Sequence, residues 1–424
     1  MATNLKTCLR LLIIVFLISA ISTNSVSPQK EFYEKLNNFS ANIFNGVHLA
    51  NRKKSFVISP FAVHSSLTMA RMGANGRTAA DMDKPLEFLE QPYEGVVDNF
   101  HSLLEKYKTT NFLNISNKLY IANGHEVKED YHKMASQKFL TDIDNIDLSV
   151  KRKAAATMNT WAKSESNGLE DLVKADDLSN NFPLVHLSTA HFKGNWKLPF
   201  APKDNYIEEF YVNSHHSVNL TMMYRDGPAE ICSNGNLDAL GLRLHFNSSD
   251  LSMMFLLPNS RNNLPSLLEN IKGYSLEYLV GRFIPYDHVH IYLPKFKTEF
   301  NIELSYVLKN MGMEKIFSNG DFSNTIKGSE PLAMGKVFHK AVVEVDEGGT
   351  VPEGLPERDY YSDTGYISFF ATHPFYYVIM NSDYVPLLQG TFVGVSSISP
   401  KTYNLCSQEV ILVLYFMETL TINV

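Results

Sequence analysis

Cysteine is scarce in this chain: three residues, Cys8, Cys232 and Cys406, among 424. So few cysteines in that length do not make a disulfide framework, so stability has to come from a buried core. An excess of positive charge is also missing. The net charge is −7, which argues against a dedicated nucleic-acid binder with its basic face. Apolar runs long enough to cross a bilayer are absent as well: Leu11 to Ala20 and Ile411 to Met417 are both too short. No Gly-x-Ser-x-Gly elbow and no His-Glu-x-x-His helix occurs, so an ordinary hydrolase is a poor reading. The GANGRT stretch from Gly73 lacks the lysine and the spacing of a phosphate loop and reads as a helix-ending turn. With 44% apolar and 20% charged residues the chain is neither disordered nor collagen-like. No repeat or low-complexity linker divides it.

The N-terminus reads as a secretory leader over residues 1–22. Lys6 and Arg10 precede the apolar run, and Ala20-Ile21-Ser22 offers small residues for cleavage. Cys8 leaves with that leader. Four glycosylation sequons, at Asn38, Asn114, Asn219 and Asn247, agree with a secreted, extracellular protein.

From Glu31 the apolar residues Phe32, Leu36, Phe39 and Ile43 recur at helical spacing. Ser59 is a good N-cap, Pro60 suits the first helical position, and Gly73 suits a C-cap. Residues 151–170 read as a helix with Met158, Trp161 and Ala162 on one face and Gly168 as its stop. Near the C-terminus, Val337, Ala341, Val343 and Val345 alternate with Lys340, Glu344 and Asp346, the pattern of a half-buried strand, and His339 falls in the apolar-facing set. At Gly348-Gly349 the pattern stops. About twenty residues without an apolar period follow before Phe369, and a loop that long in a compact domain usually has a function.

Six blocks carry a family resemblance: SFVISPFAVHSSLTMARMGANGRT, LSTAHFKGNWKLPF, VNLTMM, IYLPKFKTEFNIELSYVLKNMG, HKAVVEVDEGGT and HPFYYVIM. Together they resemble the serpins, in order and in register from about Glu31 to Pro400. The resemblance implies an α+β fold. A large mixed central sheet would be joined by smaller sheets, about eight or nine helices, and an exposed reactive-centre loop at about 347–370. It also implies one domain, residues 31–400. Residues 401–424 fit neither this pattern nor a membrane span and read as an atypical extension, with a hydrophobic anchor signal as the other reading.

In inhibitory serpins a protease cuts the loop, forms an acyl-enzyme, and is dragged away as the cut loop enters the large sheet as a new strand. By that resemblance Glu347, Gly348, Gly349 and Thr350 begin the hinge. The seventeenth residue counted from Glu347 is Asp363, so the reactive bond is Asp363–Thr364. The implied partner is an extracellular serine or cysteine protease, one cutting after aspartate included. The hinge then departs from the family. Pro352, Gly354, Pro356 and Arg358 would share the inward side of an inserted strand with Thr350. Proline has no N–H for a central strand, each lost ladder bond leaves a partner short by about 1–3 kcal/mol, and a buried unpaired Arg358 costs more. Adding ~3 kcal/mol to the insertion barrier slows it roughly 150-fold, and hydrolysis then wins.

The region where the family's sheet opens is implied to involve Ser59, His339 and two further positions. Ala62 stands where the family has a serine, and Ser188 where it has an asparagine. Thr372 stands where an acidic residue or asparagine often precedes HPF. Two functions therefore compete: a suicide inhibitor of a protease, and a non-inhibitory carrier, decoy or binding module. His288 and His290 share a strand face but lack a third ligand, and Lys151-Arg152-Lys153 reads as a solvated helix start. No metal, cofactor, nucleic acid or membrane is assigned as a partner, and the chain is expected to be a monomeric non-enzyme.

Overall fold

In the computed structural model the described residues are 27–88, 93–179, 183–247, 249–328, 332–349 and 367–394. The leader, Thr350 to Tyr366 with the expected reactive bond, and the 401–424 extension therefore lie outside the described residues. The helices are α1 (Pro28–Ala50), α2 (Pro60–Gly73), α3 (Gly76–Asp83), α4 (Tyr93–Lys108), α5 (Glu129–Lys138), α6 (Lys151–Ser166), α7 (Leu264–Ile271), α8 (Leu276–Val280) and α9 (Ser305–Leu308). The strands are β1 (Phe56–Ile58), β2 (Leu113–Ala122), β3 (Asp142–Ile146), β4 (Leu184–Phe192), β5 (Tyr206–Asn213), β6 (His216–Asn234) and β7 (Ala239–His245). They continue with β8 (Ser252–Pro258), β9 (Ile284–Pro294), β10 (Phe296–Glu303), β11 (Met334–Val345), β12 (Ile367–Phe370), β13 (Phe375–Met380) and β14 (Pro386–Phe392).

These strands make two sheets. One is five-stranded and mixed, in the order β10-β11-β4-β2-β3. The other follows the path β1-β14-β13-β8-β7-β6-β9-β12, with β5 paired to β6. The 19-residue β6 pairs with β5, β7 and β9 in turn, so the smaller strand groups beside the five-stranded sheet join in one continuous ladder.

The predicted helix starts hold with small shifts. In α1 Phe32, Leu36, Phe39 and Ile43 are buried, as their spacing requires. Ser59 caps α2, its hydroxyl accepting the Ala62 N–H at 3.1 Å. Gly73 is the last residue of α2, not its cap; a Cβ there would collide with Thr325 and Tyr131, so close approach is what demands glycine. The stop of α6 is Asn167, left-handed at φ +50°, one residue before the expected Gly168.

The five-stranded sheet is covered on both faces. Val337, Ala341 and Val343 of β11 join the main core with helices α1 to α5, whereas Phe338 joins a second cluster with Met158 and Ala162 of α6 and Leu187 of β4. The half-buried strand expected from the alternation is thus corrected: Lys340, expected to face solvent, is 0% exposed. The chain leaving α6 covers that face, which the local pattern could not reveal.

Candidate functional site

Two features of the five-stranded sheet coincide with the residues singled out in the sequence. The first is the β4/β11 pair. These strands run parallel, with Lys336 to Val343 opposite Val185 to Phe192. They are adjacent in space because the chain between them crosses through the second sheet, so their shared ladder is a seam between β10-β11 and β4-β2-β3.

Below the seam lie all four predicted sheet-opening residues. Ser59 N–H donates to His339 Nε2 at 2.9 Å, and His339 Nδ1 lies 2.7 Å from Ser188 Oγ on the opposite strand. Since Nε2 accepts, the neutral ring carries its proton on Nδ1 and donates it to Ser188. Ser59 Oγ donates to Leu387 O at 2.6 Å, which fixes α2 against β14. Burial holds His339 neutral, its pKa lowered to about 3. Ala62 is buried here and its N–H is satisfied by Ser59. Its methyl adds no seam-crossing bond, so beside the backbone ladder the side-chain tie at this level is the one between Ser188 and His339.

The second feature is the exit from β11. The Asp346 carbonyl accepts Trp196 Nε1–H at 2.9 Å, and the Glu347 carbonyl accepts Phe200 N–H at 3.0 Å. The Glu347 carboxylate is held by Lys295 Nζ at 2.8 Å and by Asn205 Nδ2 at 2.5 Å. Burial works against its charge, but these partners outweigh it and keep its pKa below the usual carboxylate range. Gly348 and Gly349 follow with φ of +49° and +101°. That left-handed backbone turns the chain off the sheet, and glycine adopts it without steric cost. Near this exit Glu344 reaches across the seam to His191 Nε2 at 3.4 Å and Lys193 Nζ at 3.4 Å, and along β10 to Lys297 Nζ at 3.1 Å.

The sequence reading named Glu347 but missed what holds it. Lys295 lies inside the LPKF block, and Lys193 and Trp196 inside FKGNW, so the motifs contained the signal without the pairing. Gly348 and Gly349 are where expected, whereas Thr350, Pro352, Pro356, Asp363 and Thr364 fall outside the described residues. His288 and His290 do not converge on a third ligand: His288 faces Asp226 at 3.5 Å and His290 bonds Tyr224 Oη at 2.9 Å. Among the described residues no group of three or more candidate ligands could hold a metal ion. Asn38, Asn114, Asn219 and Asn247 are all exposed. Cys232 is a free, buried thiol.

A five-stranded sheet whose parallel β4/β11 pair ends at a tethered acidic residue and two turning glycines is an arrangement into which a strand could be added if that pair parts. Comparison with known proteins agrees with that architecture. Chicken neuroserpin (Gallus gallus) is 28% identical over 375 residues, covering 84% of this chain and 91% of its own. The solved structure of cleaved Serpin 42Da matches with a TM-score of 0.78 at 31% identity, over 87% of this chain and 99% of its own. Human thyroxine-binding globulin in complex with thyroxine shares the fold, with a TM-score of 0.78 at 21% identity over 87% and 99% of the two chains. The model of the family described as "Serpin (serine protease inhibitor)" matches residues 34–394. With that match spanning both the seam and the hinge, this chain belongs to the serpin family and is not an enzyme.

Proposed function

We propose that the protein is a secreted serpin of the protease-inhibitor class, with residues 1–22 as leader, 31–400 as its single domain and 401–424 as an extension. An extracellular serine or cysteine protease, including one that cuts after aspartate, attacks Asp363–Thr364. The cut loop then enters between β4 and β11. The observation that carries this reading is the seam itself: a parallel pair, Ser188 opposite His339, with the chain turning away from it at Gly348. Supporting it, neuroserpin matches over 84% of this chain.

A second reading rests on Pro352, Pro356 and Arg358, which would sit on the inward side of the inserted strand. On that reading the protein is cleaved as a substrate and acts as a carrier, decoy or binding module. Incubation with a panel of proteases followed by denaturing gels decides between them. A covalent complex that survives SDS supports inhibition, and clean cleavage supports the second reading. Melting curves before and after loop cleavage give an independent check: a large rise in Tm accompanies insertion, and an unchanged Tm marks a loop that stays out.

A further inference from the structure

The GANGRT turn between α2 and α3 holds one of six Asn-Gly pairs in the chain: Asn45, Asn75, Asn123, Asn167, Asn234 and Asn319 each precede a glycine. Such a pair can cyclise, because a glycine nitrogen has no Cβ beside it to keep the asparagine carboxamide away. In a folded protein the reaction depends on where that carboxamide lies relative to the next amide.

At Asn75 the two groups already meet. The Gly76 N–H donates to Asn75 Oδ1 at 2.9 Å, so the carboxamide lies against the nitrogen that would attack it. At its other end Nδ2 donates to Ser323 Oγ at 3.4 Å, which keeps the side chain in that rotamer. The Gly76 nitrogen precedes the ladder of α3, whose first main-chain bonds run from Thr78 and Ala79 to the Asn75 carbonyl. Attack by that nitrogen therefore breaks no helical bond. Asn75 and Gly76 are both exposed, and a Cβ on Gly76 would meet nothing within 4 Å.

The other pairs are closed or differently arranged. Gly46 lies inside α1, where its N–H belongs to the helical ladder and a methyl would strike Val307. Gly168 is buried against Lys340 and Glu299, and Gly320 against the Ile316 carbonyl and Phe322. Gly124 is exposed, yet among the described residues no hydrogen bond brings the Asn123 side chain onto its N–H. The Asn234 side chain lies outside the described residues.

We propose that Asn75 is a self-modifying site, converting to aspartate and isoaspartate without an enzyme. The Gly76 nitrogen gives its proton to a base in the solvent and forms a bond to Asn75 Cγ. The Cγ–Nδ2 bond breaks, and the amide nitrogen leaves as ammonia with a proton returned from solvent. Water then opens the five-membered imide at either carbonyl. One opening leaves aspartate at position 75; the other leaves isoaspartate, with the side-chain carbon now part of the main chain. Both add a negative charge, and the second also lengthens the link between α2 and α3. That link is docked on residues 321–324: the Asn75 N–H bonds the Asp321 carbonyl at 2.8 Å, and Asn324 Nδ2 bonds the Ala74 carbonyl at 3.0 Å. Isoaspartate at position 75 loosens this corner.

The test follows the intact protein during incubation near neutral pH, once folded and once unfolded in urea. Peptide mapping separates the asparagine, aspartate and isoaspartate forms of each site. In the folded protein Asn75 should convert at least about tenfold faster than Asn45, Asn123, Asn167 and Asn319, where attack waits for local opening. In urea that lead should vanish, because the placement of the side chain is gone. Gly76→Ala, which has room for its methyl, should slow conversion at position 75 in the folded protein by at least about tenfold. Hydrogen exchange in peptides from 71–83 and 319–326 should rise in aged material, with peptides from 113–122 unchanged. A rate at Asn75 no higher than at the other sites in the folded protein, or a lead that persists in urea, overturns the proposal. So does full-speed conversion in Gly76→Ala, and unchanged exchange at the corner overturns its loosening.

Discussion

His339 Nδ1 lies 2.7 Å from Ser188 Oγ across the seam, while Nε2 of the same ring accepts the Ser59 N–H at 2.9 Å. A second proton on that ring would set two donors face to face. His339 therefore resists protonation until about pH 3, as does His64, and His186 until about 4, each against an ordinary value of 6.5 and each because it is fully buried. The folded pKa values are depressed, so the unfolded chain takes up these protons first. Stability present above pH 6.5 is lost as pH falls toward 3. At pH 5 each ring removes roughly 2 kcal/mol by linkage. Urea midpoints should fall clearly between pH 7.5 and 5, and His339→Gln should flatten part of that slope. A pH-independent midpoint would contradict the assignment of neutral buried rings.

Glu347 anchors the point where the chain leaves β11. Glu347→Ala removes the bonds to Lys295 and Asn205 but keeps the backbone bond from Phe200. Lys295 is nearly half exposed, so water screens much of that interaction. The expected loss is about 1 kcal/mol, read as a small fall in Tm. Lys295→Met should produce part of the same change, and the double variant less than the sum, because the two residues share one bond. Strict additivity would show that they act separately.

Repair of the hinge tests whether the two prolines and Arg358 limit loop entry. Replacing Val351 to Pro356 with alanines and Arg358 with a small residue restores the N–H groups and removes bulk. For an obstacle of ~3 kcal/mol the insertion step should speed up by roughly two orders of magnitude. A protease that already cuts Asp363–Thr364 in the unmodified loop should then form a covalent complex with the repaired protein. Cleavage at that bond without a complex would move attention to Ala62 and Ser188.

The sequons should differ in occupancy. Asn114 Nδ2 is committed to the Glu165 carbonyl at 2.6 Å, so a glycan there would displace the end of α6. Glycopeptide mapping of secreted protein should find Asn219 and Asn247 occupied, Asn114 bare and the first ~22 residues removed. A glycan on Asn114 in folded material would show that α6 docks differently.

The legible parts of this fold are those whose signal is local. The Ser59-Pro60 cap, the apolar stripe of α1 and the alternation of β11 each fit within a dozen residues. Lys340 was misplaced because its burial comes from the chain leaving α6 at residues 168–171, about 170 residues earlier, and no periodicity in β11 can register a cover supplied from there. The same distance hid the grip of Trp196 on Asp346 and of Lys295 on Glu347. His339 could be singled out only through its place in a motif, and its bonds to Ser59 and Ser188 came from the structure.

Gly348 and Gly349 are the last described residues before the loop, both left-handed. An extended strand needs φ near −120°, so continuing β11 past Val345 means inverting the backbone at two successive positions. Glycine is nearly indifferent between those basins, which leaves the inversion itself almost free of cost. The hinge then acts as a swivel without a preferred side, and direction is imposed by what lies beyond it. Gly348→Ala would end that neutrality. Its methyl would press on Trp196 at 3.0 Å and on the Gly194 carbonyl at 3.1 Å, and alanine disfavours positive φ by roughly 1–2 kcal/mol. Both terms penalise only the turned-away state. One added carbon at position 348 would thus bias the loop toward the sheet without touching the seam or the bond that a protease cuts.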